Sequence, residues 1–92
     1  MPKEYRGRIA IIHDILHAIN RESGIGTTRL LFLSNLSHDR LMDYVSELRT
    51  KGLINETEAS SKKSFELTER GHRFLAEVQR IRGFMADFGL EM

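Results

Sequence analysis

A mainly α-helical fold with one small β-hairpin and a long C-terminal helix is the class that this sequence predicts. Three observations lead to it. Residues 28–54 contain two short helical patterns joined by Asn35-Leu36-Ser37 and closed by Gly52. Two strand-like runs follow, and after them apolar residues recur at helical spacing as far as Phe88. Helix, turn, helix and hairpin in that order make a winged helix-turn-helix, in which the second helix of the pair can enter a DNA major groove with the hairpin wing beside it.

Taken in order, the first helix is expected from Arg8 to Glu22. Ile9, Ile12, Leu16 and Ile19 fall at helical spacing, and Ile11 and Ile15 widen the apolar stripe. Ser23-Gly24-Ile25-Gly26 stops it and serves as the connection to the next helix. The second helix starts at Thr27 or Thr28, either of which can accept a hydrogen bond from a free backbone N–H, and it buries Leu30, Leu31 and Leu33. Ser37 caps the third helix, whose stripe is Leu41, Tyr44, Val45 and Leu48 and which stops at Gly52. Strands are expected over 53–57 and 63–67, with Phe65 and Leu67 on one face, Ser64 and Glu66 on the other, and Glu58-Ala59-Ser60-Ser61-Lys62 as the wing loop.

Thr68 can cap the last helix, and Glu69 suits its positive first turn. Phe74, Val78, Ile81, Met85 and Phe88 then recur at spacings of four, three, four and three, the heptad pattern of a coiled-coil seam. Twenty helical residues extend about 30 Å, more apolar stripe than so small a domain can cover. A second copy of the chain is the simplest cover, so these five residues are the expected dimer interface. The plainer alternative packs Phe74, Leu75 and Val78 on the first helix and lets the chain fray beyond Gly83, where glycine costs up to about 1 kcal/mol against alanine.

Length and composition narrow the function. The 92 residues, 40% of them hydrophobic, suit one domain over 1–92, with 8–67 as its core and 68–88 as the C-terminal dimerisation helix. A chain of this size buries roughly 60–65% of its unfolded surface. Fourteen Lys and Arg against 13 Asp and Glu leave a net charge of +1, so affinity for a polyanion has to come from uneven placement of charge. Cysteine is absent, which excludes disulfides and Cys-ligated metals. Met1-Pro2-Lys3-Glu4 lacks the apolar run of a signal peptide and no stretch is long enough to span a bilayer, so the expectation is a soluble, cytoplasmic, nucleoid-associated protein with no membrane partner.

The chain resembles the archaeal winged-helix proteins that include the ten-kilodalton chromatin-associated DNA-binding dimers. The likeness is carried by Ile11-Ile12-His13-Asp14-Ile15-Leu16, by Thr28-Arg29-Leu30-Leu31-Phe32 with Asn35-Leu36-Ser37, by Asp39-Arg40-Leu41 with Tyr44 and Leu48, by Gly52-Leu53-Ile54, and by Leu67-Thr68-Glu69-Arg70-Gly71. It covers nearly the whole chain. It implies an archaeal-type source, a homodimer held by an antiparallel coiled coil of the last helices, and double-stranded DNA as ligand. Leu33 stands where that family often has lysine, which removes one phosphate contact.

Candidate DNA contacts cluster around the helix pair and the wing: Thr28, Arg29, Ser37, His38, Arg40, Asp43, Lys62 and Lys63, with Arg49 on the flank and Lys3, Arg6 and Arg8 as further backbone contacts. Setting the core stripe of the third helix inward turns Asp39, Met42, Asp43, Ser46 and Thr50 toward the groove. Aspartate can accept from cytosine N4, so Asp43 is a base-reading candidate; the alternative is a solvated helix face. An acidic face formed by Asp39, Asp43 and Glu47 also suits a winged-helix module that binds protein instead of DNA.

Chemistry at a catalytic centre is not expected. His13 and His17 lie four apart, with His38 or His72 as a third metal ligand in principle, but no glutamate stands at metalloprotease spacing. No Gly-rich phosphate loop follows a strand, and no spacing sets a base against a nucleophile. The expectation is a non-enzymatic, cofactor-free and metal-free DNA-binding homodimer, either a transcriptional regulator or a chromatin-associated factor.

Overall fold

In a computed structural model, which describes residues 7–90, the predicted architecture is present: a mainly helical chain with a small antiparallel sheet and a long last helix. Its elements are α1 (Arg8–Arg21), β1 (Ile25–Gly26), α2 (Thr27–Ser34), α3 (His38–Thr50), β2 (Ile54–Ala59), β3 (Lys62–Leu67) and α4 (Glu69–Asp87). Lys3 and Arg6, expected as backbone contacts, lie outside the described residues. No helix of the described residues is long and apolar enough to cross a membrane.

α1 turns Ile11, Ile12, Ile15, Leu16 and Ile19 into the core. Ile9, placed on that stripe from its spacing, is exposed, because the buried face of the first turn is the one that carries Ala10 and Ile11. α1 lies against α2, β3 and α4.

The connection between α1 and α2 is a strand, which the sequence reading missed. Ile25 pairs with Phe65 and Gly26 with Ser64, giving a three-stranded sheet in the order β1-β3-β2. Ile25 is buried there. The start of α2 also differs from expectation. Its N-cap is Gly26 and no side chain caps it, so neither Thr27 nor Thr28 takes that role; both are already inside the helix. Leu30 is fully buried and Leu31 is half-buried, whereas Leu33 and Phe32 face outward. An eight-residue helix has one inward face about two turns long, and Leu30 with Ser34 fills it. Asn35 ends the helix in the left-handed region at φ 56°, a conformation that asparagine tolerates better than most residues.

α3 follows the sequence closely. The Ser37 hydroxyl accepts from the Arg40 N–H at 3.3 Å, and Leu41, Tyr44, Val45 and Leu48 are all buried. Met42, expected on the outer face, is half-buried against the core. Gly52, at φ +77°, lets the chain leave the helix into β2.

The wing is tighter than the expected five-residue loop. Pairing continues to Ala59 opposite Lys62, so only Ser60 and Ser61 form the turn, both at positive φ (54° and 63°) as a two-residue hairpin of this hand requires. Lys62 is therefore a strand residue at the tip. Phe65 is buried and Leu67 packs beside it, both on the core face as expected.

Thr68 caps α4 by accepting from the Gly71 N–H at 2.9 Å, and its hydroxyl donates to the Gly52 carbonyl at 2.6 Å. The helix runs through Gly83 without a break. Leu75 and Val78 are buried within the chain and Phe74 is half-buried against the core, whereas Ile81, Phe84, Phe88 and Leu90 are exposed.

Candidate functional site

The first turn of α2, the start of α3 and the tip of the hairpin enclose one crevice of about 680 Å³. Thr28, Arg29, His38, Lys62 and Lys63 line it, so five of the eight residues proposed from sequence meet at one place. Thr27 and Ser61 line it as well, and were not singled out. The signal for Ser61 was its place in a polar pair between two strands, which marks the turn itself. Arg40 and Asp43 lie elsewhere on α3, in a shallow depression with Arg8, Tyr44 and Glu47. Ser37 is a structural cap whose hydroxyl is engaged with the α3 backbone.

The cations differ in how free they are. Arg29 makes a two-pronged pair with Glu22, through Nε at 3.0 Å and Nη2 at 2.9 Å. That hydrogen bonding holds the Glu22 carboxyl below the usual carboxylate range and the guanidinium above its own. Its guanidinium carbon also lies 5.9 Å from the Phe32 ring centre. Lys63 reaches Glu56 at 3.5 Å, an acid shared with Arg49 at 2.9 Å. Among the described residues neither Lys62 nor the Arg40 side chain has an acidic partner. Arg8 is tied to Glu47 at 2.7 Å, which holds that carboxyl below its usual range.

Asp39, Asp43, Ser46 and Thr50 form the exposed stripe of α3 at spacings of four, three and four. The Asp39 side chain is fully exposed, and its carboxylate lies 3.7 Å from the His38 ring. A face with two carboxylates can accept hydrogen bonds from base amino groups but repels phosphates, so attraction to a polyanion falls to the flanking cations.

The two histidines of α1 lie against each other, and His13 lies against α4. His13 and His17 stack at 5.6 Å between ring centres, and the Arg82 Nη1 donates to His13 Nδ1 at 2.8 Å. Among the described residues, no three or more His, Asp or Glu side chains stand close enough to hold a metal ion.

Comparison with known proteins adds to this geometry. A family profile described as winged helix-turn-helix matches residues 5–86. Among solved structures, the chain is similar to Sso10a-2, a DNA-binding protein from Sulfolobus solfataricus, at a TM-score of 0.81 and 24% identity, over 90% of this chain and 85% of that one. It is also similar to the transcriptional regulator BldR from Sulfolobus solfataricus (TM-score 0.74, 20% identity, 86% of this chain and 59% of that one). A third likeness is to the PcaV transcriptional regulator from Streptomyces coelicolor (0.72, 19%, 76% and 54%). The chain thus spans little more than half of the two regulators. No curated protein sequence matches.

Proposed function

The chain belongs to the winged helix-turn-helix family, and on that premise we propose that it binds duplex DNA as a homodimer, as an archaeal-type transcriptional regulator or chromatin-associated factor of the nucleoid. One observation carries the reading: the crevice where the starts of α2 and α3 meet the wing gathers Arg29, His38, Lys62 and Lys63 beside an exposed helix face. In this arrangement α3 enters the major groove and the wing follows the phosphate backbone. Lys62, with no acidic partner among the described residues, can take a phosphate at once, whereas Arg29 and Lys63 must exchange Glu22 and Glu56 for it. Thr28 and Ser37 add hydroxyls near the backbone, Arg40 reaches the strand on the other flank of α3, and Asp43 faces base edges, where cytosine N4 is its partner. The DNA-binding description of Sso10a-2 supports the same ligand.

The dimer seam is the far half of α4. Ile81 and Phe84 are exposed there and Met85 is half-buried, and exposed Phe88 at the helix C-cap and Leu90 just beyond it continue an apolar surface that a second copy would cover. Phe74 and Val78, proposed with them, pack mainly within the chain and set the angle at which the stripe leaves the domain. Residues 8–67 then carry the DNA face and 68–88 the seam. Two DNA faces related by a two-fold axis fit half-sites separated by about 34–36 Å or a multiple of it.

A second reading is favoured by one observation, the exposed carboxylates of Asp39 and Asp43 on the very face that would meet DNA. On that reading the domain docks a basic protein surface. Titration of random and selected duplexes over a range of salt separates the two: DNA binding gives a logarithm of affinity that falls linearly with the logarithm of salt, whereas a domain that docks only a basic protein surface binds no duplex.

A further inference from the structure

A second cationic patch lies at the other end of α3. Thr50 and Lys51 at its C-terminus, and Arg70, Arg73 and Glu77 of α4, border a groove of about 820 Å³ floored by Leu53 and Phe74. We propose that this groove is a second phosphate-binding site, with Lys51, Arg70 and Arg73 holding the backbone of the same duplex that the wing crevice engages; the inference rests on the DNA-binding reading above.

The charges of the groove are available. Among the described residues neither Arg70 nor Arg73 has an acidic partner. Among the described residues Lys51 meets only Glu47, at 4.0 Å, and that carboxylate is already bound to Arg8 at 2.7 Å. Glu77, the one acid on the rim, is engaged by Arg80 at 2.7 Å. Three cations therefore face an open groove against one neutralised acid. The Arg70 side chain runs beside Gly52, within 3.7 Å of where a Cβ on that glycine would stand.

The position fits a duplex. Thr50 belongs both to this groove and to the exposed stripe that begins at Asp39, while His38 at the helix start lines the wing crevice. The thirteen residues of α3 put the two cationic sites about 18 Å apart along the helix. The major groove is about 12 Å wide, so a helix lying across it brings its two ends to the phosphate strands on either side. Clamping both strands also accounts for how a helix carrying Asp39 and Asp43 is held against a polyanion. Asp43 sits between the clamps, over base edges rather than phosphates, and Asp39 stands at the first of them with its carboxylate 3.7 Å from the His38 ring.

The test compares the full-length wild type, Arg70→Gln/Arg73→Gln, Arg70→Glu/Arg73→Glu and Lys62→Glu/Lys63→Glu by anisotropy of a labelled random-sequence duplex at several salt concentrations, with thermal melts to check the fold. Removing two phosphate contacts per protomer should flatten the log–log salt slope by about 2 for each protomer engaged and weaken every sequence alike. If the glutamate pair fails to fold, the glutamine pair decides. A slope unchanged in the glutamine pair, while the Lys62/Lys63 variant loses affinity, overturns this inference and leaves the DNA-binding reading intact. A wild type that binds no duplex at any salt overturns both.

Discussion

A Cβ on residue 71 would overlap the carbonyl oxygen of Leu53, so Gly71 is what allows the first turn of α4 to sit directly on the start of β2. The same carbonyl accepts from the Thr68 N–H at 3.1 Å, which locks the two elements together. Gly71→Ala should therefore push α4 away from the strand. Alanine regains up to about 1 kcal/mol of helix propensity, but overlap with backbone cannot be relieved by a side-chain turn, and the expected net loss is about 1–3 kcal/mol. Urea denaturation should show a lower midpoint at unchanged slope; an equal or higher midpoint would mean that α4 tilts freely.

Thr68 makes two bonds through one hydroxyl, accepting from Gly71 and donating to Gly52. Thr68→Ala should cost about 1–2 kcal/mol, at the upper end for an N-cap, and Thr68→Ser should restore most of it. Equal stability of the alanine and serine variants would show that the hydroxyl does not cap the helix.

Ile81 and Phe88 are 43% and 68% exposed, whereas Val78 is 7% exposed within the chain. Ile81→Asp with Phe88→Asp should thus give a folded monomer by sedimentation, whereas Val78→Asp should destabilise the fold itself. A dimeric mass for the Ile81/Phe88 variant would place the seam elsewhere. Loss of the dimer should also reduce affinity for a two-half-site duplex more than for a single half-site.

Hydrogen bonding to Arg8 depresses the Glu47 pKa in the folded chain. The unfolded chain then takes up a proton before the folded one does, so the pair's contribution is present above the ordinary glutamate range and is lost as pH falls through the depressed folded value. Glu47→Gln should be less stable than wild type at neutral pH and converge with it in acid. A difference that stays constant with pH would show that the pair does not titrate with folding.

What could be read in the sequence, and what could not, follows from how each feature is held. The four buried positions of α3 and the caps Ser37 and Thr68 were legible because periodicity and hydroxyl placement are local signals. β1 was not, since two residues show no alternation and Ile25-Gly26 is a strand only because β3 lies beside it. The burial of Leu33 was misjudged because helix length, which limits how much of a face can be covered, is a weaker signal than an apolar run. In the candidate site, the wing lysines and the start of α2 were found from residue type and turn position. The groove of Lys51, Arg70 and Arg73 was not, because about twenty residues separate its two sides and the Gly71–Leu53 contact brings them together.

Whether the face built by α2, α3 and the wing holds DNA phosphates is decided by the salt dependence of wild-type binding to a random-sequence duplex. Neutralising about four to six phosphates per protomer predicts a log–log slope of roughly −4 to −5 for each protomer engaged, made shallower by Lys62→Glu/Lys63→Glu. No binding in dilute buffer, or an affinity indifferent to salt and to both lysines, would contradict it.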